Sequence, residues 1–264
     1  MRKVIIKYLF IAVIMYVALI AILYIKQRSF IYFPDTSKPE NQYGAEIVDV
    51  STQDGLALQS WYFSGNDPAK PVILYFHGNA GHFANRLFKA KPYIDNGFGV
   101  LLAEYRGYGG NAGEHSEQGF YHDGRAYLEW LKDKGVMEDN IVLYGESIGS
   151  GTATQLATEI KAKALILESP FSSLVDVASN LYFFAPVRLL LKDRYMNIEK
   201  IDQINMPLIV LHGHQDQTIP FAFAKALFEK AKEPRKMEEF PLGDHNDLYN
   251  HGASLKILEF LNSL

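Results

Sequence analysis

The hydrophobic and polar residues alternate with a period that changes along the chain. Two segments, 46–51 and 56–63, predict strands joined around Asp54-Gly55, which is a strong hairpin turn signal. Later runs are short and almost wholly apolar, as in strands buried on both faces of a parallel sheet. These runs begin at Val72, Val100, Ile141, Ala164 and Pro207.

Segments of helical period lie between the apolar runs. In 118–134, Phe120, Tyr127 and Leu131 recur on one face, which is typical of a helix packed on a sheet. The other segments of this kind are 84–93, 148–160, 221–231 and 248–261. Strands alternating with helices predict right-handed βαβ units. We therefore expect an α/β fold with a mostly parallel central sheet and helices on both faces.

The segment 170–205 interrupts this alternation. It carries aromatic and apolar residues without a strand pattern, where a short connection would be enough. Long insertions in compact domains are often functional. We therefore expect this segment to form a short lid.

An apolar run near the N-terminus has the length of a membrane-crossing helix. The stretch 8–25 contains no charged residue, and at about 1.5 Å per residue a helix there spans roughly 27 Å. A cleaved signal peptide is the alternative. However, the run exceeds a typical signal-peptide core and is followed by Lys26-Gln27-Arg28 rather than small residues. The sequence predicts a membrane anchor over 1–30 and one folded domain over 31–264.

The charges around the anchor favour one orientation by a small margin. Three basic residues and the terminal amine precede the run, whereas Lys26, Arg28 and Lys38 follow it. By the positive-inside rule the N-terminus is expected in the cytoplasm. The folded domain is then expected on the non-cytoplasmic side.

Composition narrows the classes of function. The chain has 264 residues, so about 230 remain after the anchor, which is enough for one domain with a buried core. The net charge is -4 and the basic residues are scattered, so no nucleic-acid partner is expected. The absence of cysteine excludes disulfides, thiolate metal sites and a cysteine nucleophile. Nothing in the sequence indicates the oligomeric state.

Ser147 has the surroundings of a nucleophilic serine. The pentapeptide Gly145-Glu146-Ser147-Ile148-Gly149 follows an apolar strand segment and opens a helical one. In a nucleophile elbow the serine lies on a sharp strand-to-helix turn, and flanking glycines let the two elements approach. An ordinary Gly/Ser turn capped by Ser147 is the simpler explanation, and the flanking strand and helix disfavour it.

Asp216 and His245 are the predicted partners of Ser147. A serine hydroxyl is a weak nucleophile, so an imidazole must take its proton and a carboxylate must orient that imidazole. Asp216 follows the apolar run from Pro207, and His245 lies between a short extended run and the last helical segment. The order serine, acid, histidine is the one expected after such an elbow.

Other residues could fill the acid and base roles. Glu168 also ends an apolar run, and a carboxylate there would lie near the same edge of the sheet. His251 could replace His245, although its place beside Gly252 in a helical pattern is typical of a surface residue.

A metal site is also possible from the sequence. His212, His214 and Asp216 resemble the H-x-H-x-D stem of some metal-dependent hydrolases. Gln217 stands where that motif would have another histidine. We therefore predict no metal and no other cofactor.

The negative charge of a tetrahedral intermediate requires backbone N–H donors. One should come from Ile148, directly after the nucleophile, and the other from the loop 77–81. We favour Asn79 over Ala80 in that loop, although backbone donors make the side chain nearly irrelevant. His77 is at least as well explained by a structural hydrogen bond under the loop.

The order of these motifs resembles the α/β-hydrolase superfamily. More narrowly, it is similar to membrane-anchored serine hydrolases of the abhydrolase-domain type, which are related to prolyl-oligopeptidase-like peptidases. Besides the anchor, the matching segments are 30–34, 76–81, 105–109, 145–149, 212–220 and 243–247. Carried over residue by residue, the resemblance implies Ser147 as nucleophile, Asp216 as acid, His245 as base and Asn79 with Ile148 as oxyanion hole.

The resemblance implies hydrolysis of an ester, thioester or amide. We expect a serine hydrolase that cleaves carboxylic ester or thioester bonds through an acyl-enzyme on Ser147, with a small-molecule or lipid-like acyl substrate. A serine peptidase or amidase of prolyl-oligopeptidase-like type remains open, because it uses the same apparatus. A metal-dependent hydrolase and a non-catalytic membrane-tethered binding module also remain open, and both are less favoured.

Overall fold

The computed structural model describes residues 1–41 and 43–264. Its strands are β1 (Phe33–Pro34), β2 (Glu46–Ser51), β3 (Ala57–Phe63), β4 (Val72–Phe76), β5 (Ala80–Gly81), β6 (Gly99–Ala103), β7 (Ile141–Glu146), β8 (Ala164–Glu168), β9 (Leu208–Gly213) and β10 (Arg235–Phe240). Its α-helices are α1 (Arg2–Lys26), α2 (Leu87–Asp95), α3 (Glu117–Asp133), α4 (Gly149–Ala157), α5 (Leu174–Leu181), α6 (Val187–Leu190), α7 (Phe221–Lys230) and α8 (Ala253–Leu261).

Within the described residues, eight strands form one sheet in the order β10-β9-β8-β7-β4-β6-β3-β2. Strand β3 pairs antiparallel with β2 and with β6, and the remaining neighbours pair in parallel. Strands β4, β6, β7, β8 and β9 are buried at every position. The predicted α/β fold with a mostly parallel central sheet is confirmed.

Two hydrophobic cores lie on opposite faces of this sheet. Leu74 and Phe76 of β4 enter one core, which contains residues of α3, α4 and α7. Ile73 and Tyr75 enter the other core, which contains residues of α2 and α8. Because successive strand side chains point to opposite faces, the helices cover both sides, as the apolar strands predict.

Helix α8 is shorter than the sequence predicts. The helical pattern extends over 248–261, but Leu248–His251 forms a 3-10 turn and α8 begins at Ala253. Gly252, between them, has a φ of 90°. A left-handed residue cannot continue an α-helix, so the chain turns there although the hydrophobic period continues.

Helix α1 and the turn after it differ from the rest of the chain. Among the described residues, Arg2–Phe30 is the one helical segment long and apolar enough to cross a membrane. No residue of α1 itself is buried. The membrane location, its orientation and the division of the chain at residue 30 stay predictions.

Candidate active site

Ser147 lies on the tight turn between β7 and α4. Its φ is 51°, a left-handed value that costs a serine on the order of 1–3 kcal/mol. The N–H of Ser147 donates a hydrogen bond of 2.9 Å to the carbonyl oxygen of Glu168 on the neighbouring strand β8. A strained serine between a strand and a helix is the geometry of a nucleophile elbow.

Two glycines let the start of α4 approach β7 and the neighbouring strand β4 this closely. A Cβ atom on Gly145 would lie 2.6 Å from the carbonyl oxygen of Gly149. A Cβ atom on Gly149 would lie 2.2 Å from the carbonyl oxygen of Phe76. Both contacts involve backbone atoms, which cannot rotate away as a side chain can. The pattern Gly-x-Ser-x-Gly is therefore a steric requirement of this turn.

Gly149→Ala is accordingly expected to lower the free energy of unfolding by about 1–3 kcal/mol or more, because β4 and α4 must separate. Thermal unfolding of the full chain in detergent measures this loss. Ser150→Ala is the matched control, since the buried Ser150 hydroxyl has no hydrogen-bond partner among the described residues. Equal stability of the two variants would contradict the steric argument.

His245 connects Ser147 to Asp216. Its Nε2 lies 3.0 Å from Ser147 Oγ, and its Nδ1 lies 2.7 Å from Asp216 Oδ2. All three side chains are buried. When the Nδ1–H group donates a hydrogen bond to the carboxylate, Nε2 is free to accept the hydroxyl proton. The fold thus brings together the three residues predicted from the motif order, within hydrogen-bonding distance.

Asp216 is surrounded by hydrogen-bond donors. The N–H groups of Thr218 and Ile219 donate to Oδ1 at 2.8 and 2.7 Å, and His212 Nε2 lies 3.2 Å from Oδ2. Burial alone would raise the pKa of Asp216. The hydrogen bonds from His212, His245 and the Ile219 N–H outweigh burial and hold this pKa well below its usual range. Asp216 is therefore ionised at neutral pH.

His212 is a positioning residue, whereas the H-x-H-x-D pattern in the sequence indicates only a metal ligand there. Its ring is fully buried, and besides Asp216 its Nε2 contacts the carbonyl oxygen of Ile219 at 2.9 Å. The other histidine of the proposed metal stem, His214, contacts Glu239 at 2.8 Å instead. Across 1–41 and 43–264, no group of three or more His, Asp or Glu side chains is placed to hold a metal. The four-residue spacing from His212 to Asp216 was the available signal.

The side chains of the competing acid and base candidates contact groups other than Ser147 and His245. Glu168 Oε1 lies 2.6 Å from Lys89 Nζ, and the Tyr144 hydroxyl donates to its other oxygen. His251 Nε2 lies 3.4 Å from the carboxylate of Asp247. Neither Glu168 nor His251 has the position that a catalytic partner of Ser147 requires.

Two backbone N–H groups are available beside Ser147. Asn79, Ser147 and Ile148 line one cavity, whereas Ala80 lines a different one. Within the described chain, the N–H groups of Asn79 and Ile148 donate to no protein acceptor. The Tyr108 hydroxyl donates to the Asn79 carbonyl oxygen at 2.9 Å and holds the loop. This arrangement favours Asn79 over Ala80, and the oxyanion-hole role stays a prediction.

The cavity over Ser147, called the apolar cavity below, has a volume of about 300 Å³. The segment predicted as a lid, 170–205, is called the cap below; it contributes residues of α5 and α6 to the walls. Hydrophobic residues dominate the lining, and none of the described residues that line it is charged. Such a site suits an uncharged, largely apolar group.

Known proteins are similar to this chain in sequence or in fold. Residues 67–196 match the family model described as "Serine aminopeptidase, S33". An uncharacterised protein of Mycobacterium tuberculosis is 38% identical over 84% of this chain and 81% of its own length. The alpha/beta hydrolase domain-containing protein WAV2 of Arabidopsis thaliana is 30% identical over 80% of this chain and 75% of its own length. A Pyrococcus furiosus esterase structure has a TM-score of 0.71 at 18% identity, covering 88% of this chain and 98% of that one.

A mostly parallel sheet with a strained serine after a central strand defines the class of nucleophile-elbow hydrolase folds. The chain belongs to the α/β-hydrolase superfamily. The family resemblance seen in the motifs is therefore confirmed. The general prediction that follows from this resemblance, that the chain is a hydrolase, is also confirmed.

Proposed function

We propose that the chain is a serine hydrolase that cleaves carboxylic ester or thioester bonds of small or lipid-like acyl substrates. The observation that carries this proposal is the hydrogen-bonded triad of Ser147, His245 and Asp216. Ser147 Oγ lies 3.0 Å from His245 Nε2, and His245 Nδ1 lies 2.7 Å from Asp216 Oδ2. Nucleophile, base and acid within hydrogen-bond reach are the signature of an activated serine. We also propose that α1 holds the domain at a membrane, on its non-cytoplasmic side.

The reaction proceeds through an acyl-enzyme. Ser147 Oγ attacks the carbonyl carbon while His245 Nε2 takes the hydroxyl proton. The intermediate then collapses, and His245 returns the proton to the leaving alcohol or thiol. In the second half, His245 deprotonates a water molecule that attacks the acyl carbon. The carboxylic acid leaves, and Ser147 regains its proton.

Two features lower the barriers of these steps. The ionised Asp216 stabilises the imidazolium that forms on His245. The N–H groups of Asn79 and Ile148 supply the donors for the oxyanion, and removing one such donor typically costs about 10²–10³ in kcat.

The apolar cavity favours an acyl substrate over an amino-terminal peptide. An aminopeptidase must bind a substrate ammonium group, and a buried charge without a partner is costly. The lining residues, all within the described chain, include no carboxylate that could pair with such a group. A neutral acyl chain needs no such partner. The ester or thioester reaction is therefore proposed ahead of the peptidase.

Fluorophosphonate labelling tests the nucleophile. The wild-type chain and the Ser150→Ala control are expected to be labelled, while Ser147→Ala loses the label completely. A chelator should leave labelling unchanged, because no metal ion takes part in the proposed mechanism. Equal labelling of wild type and Ser147→Ala would refute the assignment of Ser147.

A substrate panel separates the ester from the peptide reaction. p-Nitrophenyl esters, acyl thioesters and aminoacyl anilides are assayed with the same preparation. We expect kcat/KM for the esters or thioesters to exceed that for the anilides at least tenfold. The reverse order would favour the peptidase.

A further inference from the structure

Helix α1 forms one wall of the apolar cavity. Ile20, Leu23 and Tyr24 of α1 line it together with Gln27 of the 3-10 turn that follows, and the spacing of three and four residues places the α1 residues on one helix face. The neighbouring Ile22 is not part of this wall and is 57% exposed. The predicted anchor therefore reaches the site that contains the nucleophile.

Polar contacts fasten the end of α1 to the cap. Gln27 is buried, its Nε2 donates to the carbonyl oxygen of Leu190 at 3.3 Å, and its Oε1 accepts from the Lys192 N–H at 2.7 Å. Arg28 makes two hydrogen bonds to the Asp193 carboxylate, of 2.9 and 3.3 Å. Charge-assisted, two-point contacts of this kind fix orientation. The helix is docked on the cap rather than attached by a flexible connection.

The cap also exposes apolar side chains beside α1. Phe183 is 85% exposed and Leu189 is 84% exposed. The Tyr16 hydroxyl donates to the carbonyl oxygen of Phe184 at 2.8 Å, so the cap extends along α1 as far as Tyr16. At about 1.5 Å per residue, Tyr16 lies roughly 15 Å from the end of α1. If α1 spans a bilayer, this part of the cap lies at the depth of the hydrocarbon.

The wall and the exposed surface have one common explanation. Exposed apolar patches mark sites of membrane or partner contact, and this one continues onto the most apolar helix of the chain. The cavity between α1 and the cap is uncharged and reaches Ser147. A fatty acyl chain fits such a space, because it needs no polar partner and leaves its ester group at the nucleophile.

We infer that α1 is part of the acyl-binding site, and that the apolar cavity takes a long acyl chain of a membrane lipid from the bilayer, between α1 and the cap. This inference rests on the proposed ester or thioester reaction at Ser147. Residues of α1 such as Leu23 thereby determine which acyl chain length is accepted.

Two fluorophosphonate probes, one with a butyl and one with a hexadecyl chain, measure this directly on the full chain in lipid vesicles. The ratio of the hexadecyl to the butyl labelling rate is expected to fall at least tenfold in Leu23→Trp, which fills the cavity from α1. Ala178→Trp fills it from α5 on the cap and should have the same effect. Ile22→Trp is the matched control and should keep the wild-type ratio.

The outcomes separate the inference from the proposed function. Failure of both probes to label the wild type would refute the nucleophile and the inference with it, whereas failure of the hexadecyl probe alone would overturn only the inference. Normal labelling with an unchanged ratio in Leu23→Trp would overturn only the inference. A ratio that falls in Ala178→Trp alone would overturn it too, since the cap would then form the site without α1.

The direction of entry needs its own measurement. A dipalmitoyl glycerolipid, which exchanges slowly between vesicles, is placed either in the vesicles that hold the enzyme or in separate ones. Hydrolysis is expected to be at least tenfold faster in the shared vesicles. Equal rates, including no hydrolysis in either arrangement, would overturn entry from the bilayer.

Discussion

Asp216→Asn is expected to lower kcat by about 10³–10⁴-fold while leaving the chain folded. In the structure His245 Nδ1 lies 2.7 Å from Asp216 Oδ2, and in the active tautomer the Nδ1–H group donates a hydrogen bond to that oxygen. An amide NH₂ in that place would donate instead, which puts the imidazole proton on Nε2. Nε2 then faces Ser147 Oγ as a donor and cannot take the hydroxyl proton.

The measurement is the steady-state hydrolysis of a p-nitrophenyl ester at neutral pH. Glu239→Gln is the control, because this exposed carboxylate contacts His214 and not the site. It should retain kcat within about twofold. Retention of most activity in Asp216→Asn would show that His245 does not depend on Asp216 for its tautomer and orientation.

The same substitution has a consequence for stability. The folded-state pKa of Asp216 is lowered, so its carboxylate stabilises the fold above the unfolded pKa. That contribution is lost as the pH falls through the folded value. The wild-type chain should therefore exceed Asp216→Asn in stability at neutral pH, and the difference should narrow in strong acid.

Lys89→Met is expected to cost about 3–5 kcal/mol of stability, because it breaks a buried charge cluster beneath the elbow. Lys89 Nζ lies 2.6 Å from Glu168 and 3.1 Å from Glu146, and all three are buried. Arg86 Nε lies 2.9 Å from the other oxygen of Glu146. Two cations thus neutralise two carboxylates. Without Lys89, Glu168 keeps a hydrogen bond from Tyr144 but no charge partner.

The stability lost in Lys89→Met is expected to depend on pH. Burial raises the pKa of Glu146, but the charges of Lys89 and Arg86 outweigh it and lower the pKa below its usual range. The ionised cluster therefore stabilises the fold at neutral pH, and this contribution is lost in acid. Without Lys89, Glu146 is protonated more readily, so the deficit of the variant should shrink as the pH is lowered.

Thermal or urea unfolding of the full chain in detergent measures the loss. Lys91→Met is the matched control, since Lys91 lies on the same helix and pairs with Asp95 at the surface. It should cost no more than about 0.5 kcal/mol. The double variant Lys89→Met with Glu168→Gln should recover part of the loss. Equal costs for Lys89→Met and Lys91→Met would show that the buried cluster contributes nothing.

The sequence by itself determined the fold class and the order of the chemical groups. Apolar runs long enough only for strands, separated by amphipathic helices, leave an α/β sheet as the way to bury those runs. The glycines around Ser147 indicated a close strand-to-helix turn, because few other arrangements need a residue without Cβ on both sides. The same local logic predicts Asp216 and His245, since each follows a strand or an extended run.

Only the tertiary structure decided which distant groups meet. That His212 supports Asp216, that Lys89 joins Glu146 to Glu168, and that α1 lines the cavity all depend on packing between segments far apart in the chain. The hydrophobic pattern of a segment predicts which face of a helix or strand is apolar, but not which other element packs against that face. Helix α1 shows the difference: its apolarity along the sequence predicts a membrane anchor, and the wall it forms around the site containing Ser147 appears only when the chain is folded.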